Sequence, residues 1–387
     1  MAESASHPDR VFVSGIGVMT ALANNTEDLA HILAERDVVR RTDSGHRAAA
    51  AEVSLLPSFK LADYLQTQRP YLDTQSRCAL AAAALALDNA GVEPDEVDPL
   101  RCGLYYANAL GNLDTQATFQ RTVEQKGMRL ASPVLFSHAY PNSTASLLAI
   151  EFALAGVNYN FCSGRLAGAE ALQGALMALD ANQADLVLAG GADAAAPELL
   201  DRLWTRSPED LAPGQGAALL VLETQDSVER REGYAFCELA SVVCMGTRGD
   251  RSAEGIATAL EATIAAAIAE AGLWEGDMGL LFSCAAPNSG SPEARAERLA
   301  LERFSQVPRC GAALFVGNTF AASFPLECAL AAEAVSSNRV PPEVVLWGET
   351  GGVEIWVEGR PEPMLGGAAL VVGCTPETTA AAVLMAM

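Results

Sequence analysis

Apolar positions along this chain fall into two alternating patterns. Short, nearly continuous apolar runs read as buried strands, and long Ala-rich stretches between them read as helices. VFVSGIGV (Val11–Val18), Cys102–Ala107, Asn158–Phe161, Leu186–Ala189 and AALLVLE (Ala217–Glu223) are of the first kind. Leu72–Ala90, stopped by Gly91 with Pro94 just beyond, is of the second, as are Asn142–Ala155, closed by Gly156, and Ser163–Ala181. A second series comes after these. Tyr234–Cys244 predicts a strand, Ser252–Ala271 a helix, Gly279–Ser283 a strand, Pro292–Phe304 a helix, Ala312–Val316 a strand and Ala321–Ser336 a helix. Val353–Glu358 and Ala368–Val372 are the last clear strands. Such alternation predicts a mixed, largely parallel sheet covered by helices. Both series begin strand first and helix next, which points to structural duplication without an obvious sequence repeat. Residues 1–230 and 231–387 are the expected halves, and with no low-complexity linker between them they should pack as one body.

At 387 residues the chain suits two domains or one large α/β unit. Half of its residues are apolar and 19% are charged, enough for a sizeable core and against global disorder. Asp and Glu number 48 against 25 Lys and Arg, a formal charge of -23. So acidic a chain will not follow a phosphate backbone, which argues against nucleic acid and anionic membrane as partners. No apolar stretch reaches the roughly 20 residues of a membrane span. Met1–Arg10 is polar and lacks a hydrophobic signal core, so a cytoplasmic location is expected. Nine cysteines are scattered without a CxxC pair or a Cys/His cluster. Most therefore read as reduced, buried, small hydrophobes, and no metal or organic cofactor is expected.

The most informative segment is VNYNFCSGRLAGAEALQGALMALDANQADLVLAGGAD, Val157–Asp193. A strand delivers Cys162 to a sharp turn, a small-residue helix comes next, and a further strand ends in Gly-Gly. A cysteine at a helix N-terminus feels the positive end of the dipole and free backbone N–H groups, which lower its pKa and offer an oxyanion site. On spacing alone, a buried and unreactive cysteine is the stronger reading.

Several runs together change that balance, because over nearly its whole length the chain resembles a β-ketoacyl synthase of the thiolase superfamily. VFVSGIGVMTALANN resembles the family's opening "V-V-I-T-G-x-G-x-x-T-P-x-G". LDTQSRCALAAAALALDNAGV resembles the helix after that opening, and SPVLFSHAYPNSTASLLAIEFALAGVNYNFCSG the approach to the nucleophile. PGQGAALLVLE resembles "G-E-G-A-x-x-L-V-L-E", with Gln215 where glutamate is usual. The resemblance implies the thiolase fold, a duplicated five-layered α-β-α-β-α architecture with mixed sheets.

The departures from the family are as telling. Elongating members use a cysteine with two histidines that stabilise the oxyanion and drive malonyl decarboxylation. This chain has only His7, His31, His46 and His138, none of them in the second half. Where the resemblance places the first histidine stands Cys284, in SCAAPNSGSPEARAE; where it places the second stands Asn318, in LFVGNTFAASFPLECAL. The preceding lysine corresponds to Ala313, and GCTPETTAAA from Gly373 replaces the "G-F-G-G-T-N" turn. GNTFAAS also resembles the "G-N-T-S-A-A-S" of initiating synthases, which use Cys-His-Asn, but there too the histidine has become Cys284, and a thiol is a poor donor. Arg165, read in the first turn of the helix after Cys162, faces an unfavourable dipole. It would fill the acyl cavity, reach an acidic partner, or lie exposed. His138, in a loop before Pro141-Asn142, is not expected to replace the lost base.

The resemblance implies a chain-length factor, the catalytically deficient subunit that pairs with an active ketosynthase in type II polyketide systems. Such a subunit pairs through the strand before the nucleophile, here Asn158–Phe161, and lends its partner a wall of the tunnel for the growing acyl chain. Tyr105, Leu110, Leu113, Phe119, Leu135 and Phe136 are the tunnel candidates, with His138, Phe161 and Arg165 beside them; each also reads as ordinary core. Acyl carrier proteins are acidic, so docking is expected mainly on the partner. Chain-length factors of aromatic systems often replace the cysteine, whereas Cys162 is kept. That leaves a second expectation open, a Cys162-dependent acyltransferase or initiating-type synthase acting on carrier-protein thioesters.

Overall fold

The computed structural model describes residues 10–21, 23, 53–67, 69, 72–92, 97–203, 211–285, 290–338, 344–347, 353–356 and 367–387. Met1–Asp9, the last two residues of the expected Val353–Glu358 strand, Pro94, and His7, His31 and His46 lie outside the described residues. Ten strands form one sheet: β1 (Val11–Thr20), β2 (Cys102–Ala107), β3 (Asn158–Phe161), β4 (Leu186–Asp193), β5 (Gly216–Thr224), β6 (Cys237–Gly246), β7 (Met278–Ser283), β8 (Arg309–Cys310), β11 (Ala368–Cys374) and β12 (Thr378–Met385). A separate antiparallel hairpin joins β9 (Val344–Trp347) to β10 (Val353–Trp356).

The order across the large sheet is β3-β2-β4-β5-β1-β6-β12-β11-β7-β8. Outward from the β1–β6 junction, each side places its first strand, then its last, then the rest in the same relative sequence. The directions repeat as well. β4 and β3 run parallel to β2, as β11 and β8 do to β7, while β5 and β12 are antiparallel to both neighbours. The duplication expected from the two alternating series is therefore written in strand order and direction.

Helices fill the spaces between and outside these strands. They are α1 (Thr74–Ala90), α2 (Leu113–Lys126), α3 (Pro133–His138), α4 (Ser143–Glu151), α5 (Ala167–Asp180), α6 (Pro197–Leu203), α7 (Gln225–Arg230), α8 (Ala253–Glu270), α9 (Pro292–Ala300), α10 (Ala313–Val316) and α11 (Ser323–Ser337). α1 packs on β1 and β5, α8 on β6 and β12, and the Ala-rich α5 and α11 lie between the two sets of strands, each touching both. This gives the layered α-β-α-β-α arrangement, with one core cluster around the central helices and one beneath each outer layer.

Local chemistry explains the element boundaries. Asp73 caps α1 by accepting from the Ser76 N–H, and Gly91 closes it in the left-handed region at φ 63°. Ala is the best helix former and the smallest one, so α1 lies almost in contact with β1. A Cβ on Gly15 would collide with the carbonyl of Ala86, and one on Gly17 with that of Ala82. Ser252 and Ser291 cap α8 and α9 in the same way as Asp73, and Pro292 sits at the first helical position of α9.

Three expectations need correction. The helix after Cys162 starts at Ala167, not at Ser163, because Gly164 at φ 112° turns the chain away from helical geometry. Ala312–Val316 is not a strand but a single helical turn ended by Gly317 at φ 72°; the strand in that region is the two-residue β8. Thr378–Met385 forms β12, a central strand that the sequence pattern did not mark. Its alanines read as helix formers, but Ala380–Ala382 are fully buried between β6 and β11, where only small side chains fit.

Candidate active site

The parallel strands β2, β3 and β4 end at one edge, and the residues at or just past their C-terminal ends are Asn108, Cys162 and Asp193. Cys162 is exposed. Its sulfur accepts from Asn160 Nδ2 at 2.9 Å, and its S–H points at Asn108 Oδ1 at 3.6 Å. Asn108 is fixed in turn, because its Nδ2 donates to Pro141 O at 2.9 Å and to Asn160 Oδ1 at 3.2 Å. Partial burial pushes the thiol pKa up; the Asn160 bond pulls it down and the charge of Asp193 pushes it up again. The net shift is upward. Cys162 is also not at the helix N-terminus on which the expected lowering relied, since α5 begins five residues later.

Asp193 is fully buried at the end of β4. Its carboxylate accepts from the N–H of Ala109 (2.8 Å), of Leu110 (2.8 Å) and of Ala321 (2.9 Å). Burial raises its pKa to about 7 against the lowering by these three donors.

The second set of strands presents a different surface. Cys284 lies just past β7 and its N–H donates to Val372 O at 3.1 Å. Burial pushes its thiol well above the ordinary value, helped by Glu327 and Glu297. Glu297, on α9, is buried; it accepts from Ser283 Oγ, and burial raises its pKa to about 7. Glu327, on α11, is 2% exposed, with one oxygen accepting from the Ala312 N–H at 2.8 Å and the other without a partner. Burial holds it protonated well beyond the usual carboxylate range. Asn318 is committed locally: its Oδ1 accepts from the Phe320 N–H at 3.0 Å, its N–H donates to Ala212 O and its carbonyl accepts from Gly214.

Arg165 precedes α5 in a turn, so the reading that placed it in the first helical turn is corrected. Its side chain is half-exposed and 3.9 Å from Glu293 Oε1 at the start of α9. It thus leans from the Cys162 side toward the second set of strands. Tyr105 is buried in β2, with ring centroids 5.1 Å from Tyr159 and 6.2 Å from Phe161. Phe119 on α2 meets the exposed Phe136 of α3 at 5.5 Å, and Phe136 meets Tyr140 at 5.1 Å. Leu110, Leu113, Leu135 and His138 are half-buried. His138 Nδ1 lies 3.4 Å from Ser143 Oγ.

The structure therefore joins Cys162 to Asn108, Asn160 and Asp193, and Asp193 joins that group to the Asn318 turn through Ala321. Sequence reasoning missed Asn108, Asn160, Asp193, Glu297 and Glu327. Two signals were present: an acid ending the apolar run LVLAGGAD, and another inside the apolar helix SFPLECALAAEAV. Among the described residues, no three His, Cys, Asp or Glu side chains converge as a metal site would, and no helix is long and apolar enough to cross a membrane.

Comparison with known proteins points the same way. Residues 8–203, just over half of the chain, match the model for the beta-ketoacyl synthase N-terminal domain. A 3-oxoacyl-[acyl-carrier-protein] synthase 2 of Coxiella burnetii is 23% identical over 371 residues, covering 87% of this chain and 88% of its own. The solved ishigamide ketosynthase/chain length factor superposes with a TM-score of 0.82 at 17% identity, covering 98% of this chain and all of that one. A type II PKS acyl-carrier protein in complex with its ketosynthase gives 0.79 at 17% identity, with coverage of 98% and 100%.

Proposed function

This chain belongs to the beta-ketoacyl synthase family, and from that premise we propose that it is a chain-length factor, the non-condensing partner of an active ketosynthase in a type II polyketide or fatty-acid-like pathway. The observation that carries this reading is the second set of strands. Where the family resemblance places imidazoles stand a half-buried thiol, Cys284, and an amide, Asn318, whose oxygen already accepts from Phe320. Decarboxylation of a malonyl group builds negative charge on the thioester oxygen, and donors or cations must meet it. Neither the Cys284 thiol nor the acids beside it can carry the positive charge of an imidazolium: the thiol is a weak donor, and the thiol, Glu297 and Glu327 all ionise only to anions.

The surface fits a paired subunit. β3 is an edge strand, and Tyr159 on it is 56% exposed. Ile150, Phe136 and Tyr140 are also exposed. A strand edge with exposed aromatic and aliphatic side chains is an aggregation risk unless a partner covers it. The growing acyl chain would then run beside Phe119, Phe136 and Leu135 into the partner's site. The acidic carrier protein would dock mainly on that partner, because this chain carries a formal charge of -23.

Co-expression with a ketosynthase that carries the full Cys-His-His set is the test. The expected result is a stoichiometric heterodimer in which extension from malonyl carrier protein occurs only in the mixture, with the acyl adduct on the partner's cysteine. Extension or decarboxylation by this chain alone would overturn the reading. The exposed, hydrogen-bonded Cys162 favours a second reading, an acyltransferase. For that, a turning-over acyl adduct on Cys162, lost in Cys162→Ala, is required.

A further inference from the structure

We infer that Asp193 is a positioning residue that fixes the Cys162 loop against the Asn318 turn, and that its charge acts on the Cys162 thiol. The two segments come from opposite sides of the β1–β6 junction. One is the loop after β2, where Asn108 accepts from the thiol and donates to Asn160 and Pro141. Its next two N–H groups, Ala109 and Leu110, both end on Asp193. The other is the turn before α11, where Asn318 holds Phe320 in the left-handed region at φ 51° and the next N–H, Ala321, donates to the same carboxylate. That turn is seated very tightly: a Cβ on Gly168 would collide with the Ala321 carbonyl, and one on Gly191 would lie 2.6 Å from it. A turn held against two glycines in a conformation that costs a non-Gly residue energy needs a tie, and the carboxylate supplies it.

The three donors make the ionised form the natural one for Asp193, while full burial opposes it. No charged side chain hydrogen-bonds to it among the described residues. Among the described residues, Cys162 and Tyr106 are the titratable groups on which its charge acts. Through neutral pH, then, a buried charge appears or disappears beside the thiol. A carboxylate there works against the thiolate, whereas the Asn160 amide works for it. The pair should move the reactivity of Cys162 in opposite directions. The inference does not depend on which partner or reaction the chain serves.

The test is the pH profile of Cys162 alkylation by iodoacetamide on the full chain, read by peptide mass spectrometry. Asp193→Asn should bring the midpoint down by about one unit, and Asn160→Ala, which removes the donor to the sulfur along with an acceptor of Asn108, should raise it. A midpoint in Asp193→Asn that matches wild type, or that moves with Asn160→Ala, would overturn the inference; a purely structural Asp193 gives no such opposition. Should Asp193→Asn fail to fold, carboxyl carbon NMR of the Asp-labelled wild-type chain decides. A buried carboxyl titrating near neutral pH whose resonance shifts when Cys162 is alkylated is expected. Its absence would overturn the inference equally.

Discussion

The residues around Cys162 and those around Cys284 lie at the ends of matching sets of parallel strands, β2, β3 and β4 on one side and β7, β8 and β11 on the other, yet their chemistry is opposite. Around Cys162, amides do the work: the thiol is exposed, takes a hydrogen bond from Asn160 and gives one toward Asn108. Around Cys284, acids do it: the thiol is half-buried, and burial pushes Glu297 and Glu327 both toward their protonated forms. Duplication of a backbone does not duplicate a site. The first region presents an exposed thiol; the second holds a half-buried thiol beside two buried carboxyl groups.

Selective modification is the most direct way to break this contrast. Under native conditions iodoacetamide should label Cys162 at least about 100-fold faster than the buried Cys374, because a buried thiol reacts only through openings that cost several kcal/mol, and also faster than the half-buried Cys284. Comparable rates by peptide mapping would mean that the second region is open.

A pH series sharpens the acid side. Glu297 has a folded pKa of about 7 against an ordinary value of 4.5. Its favourable contribution to stability is therefore fully present below about pH 4.5 and is lost as pH rises through about 7. Glu297→Gln removes that dependence. Between pH 5 and pH 8 the variant should gain about 2 kcal/mol relative to wild type in denaturant unfolding. Parallel curves across that range would show that the acid is not buried as described.

The smallest effect belongs to the contact that leans between the two regions. Arg165→Ala should change stability by less than about 0.5 kcal/mol, since a half-exposed ion pair at 3.9 Å is worth little. A drop in melting temperature equivalent to several kcal/mol would instead make Arg165 a tether between them.

Much of the fold could be read from the chain, and the reasons are visible in particular residues. Gly91 and Asp73 bracket α1, and Ser252 and Ser291 announce α8 and α9. β12 escaped because TTAAAVLM owes its conformation to the strands on either side of it, not to its own propensities. The site divided in the same way. Cys162, Cys284 and Asn318 could be singled out by family resemblance, but Asn108, Asp193 and Glu327 act through contacts with residues far away in sequence, which no local pattern carries. The start of α5 was misjudged because Ser163, Arg165 and Leu166 do not themselves stop a helix, and Gly164 at φ 112° turns the chain there.

The two rims of the large sheet are unequal, and that bears on the assembly to be expected. At one end β3 offers four residues with an exposed face; at the other β8 is only Arg309 and Cys310, both buried, with the β9–β10 hairpin beside them. A sheet able to grow from both rims would propagate into a fibre, subunit after subunit. With one rim closed, a single strand-to-strand docking exhausts the valence of the molecule. The expected assembly is a finite pair.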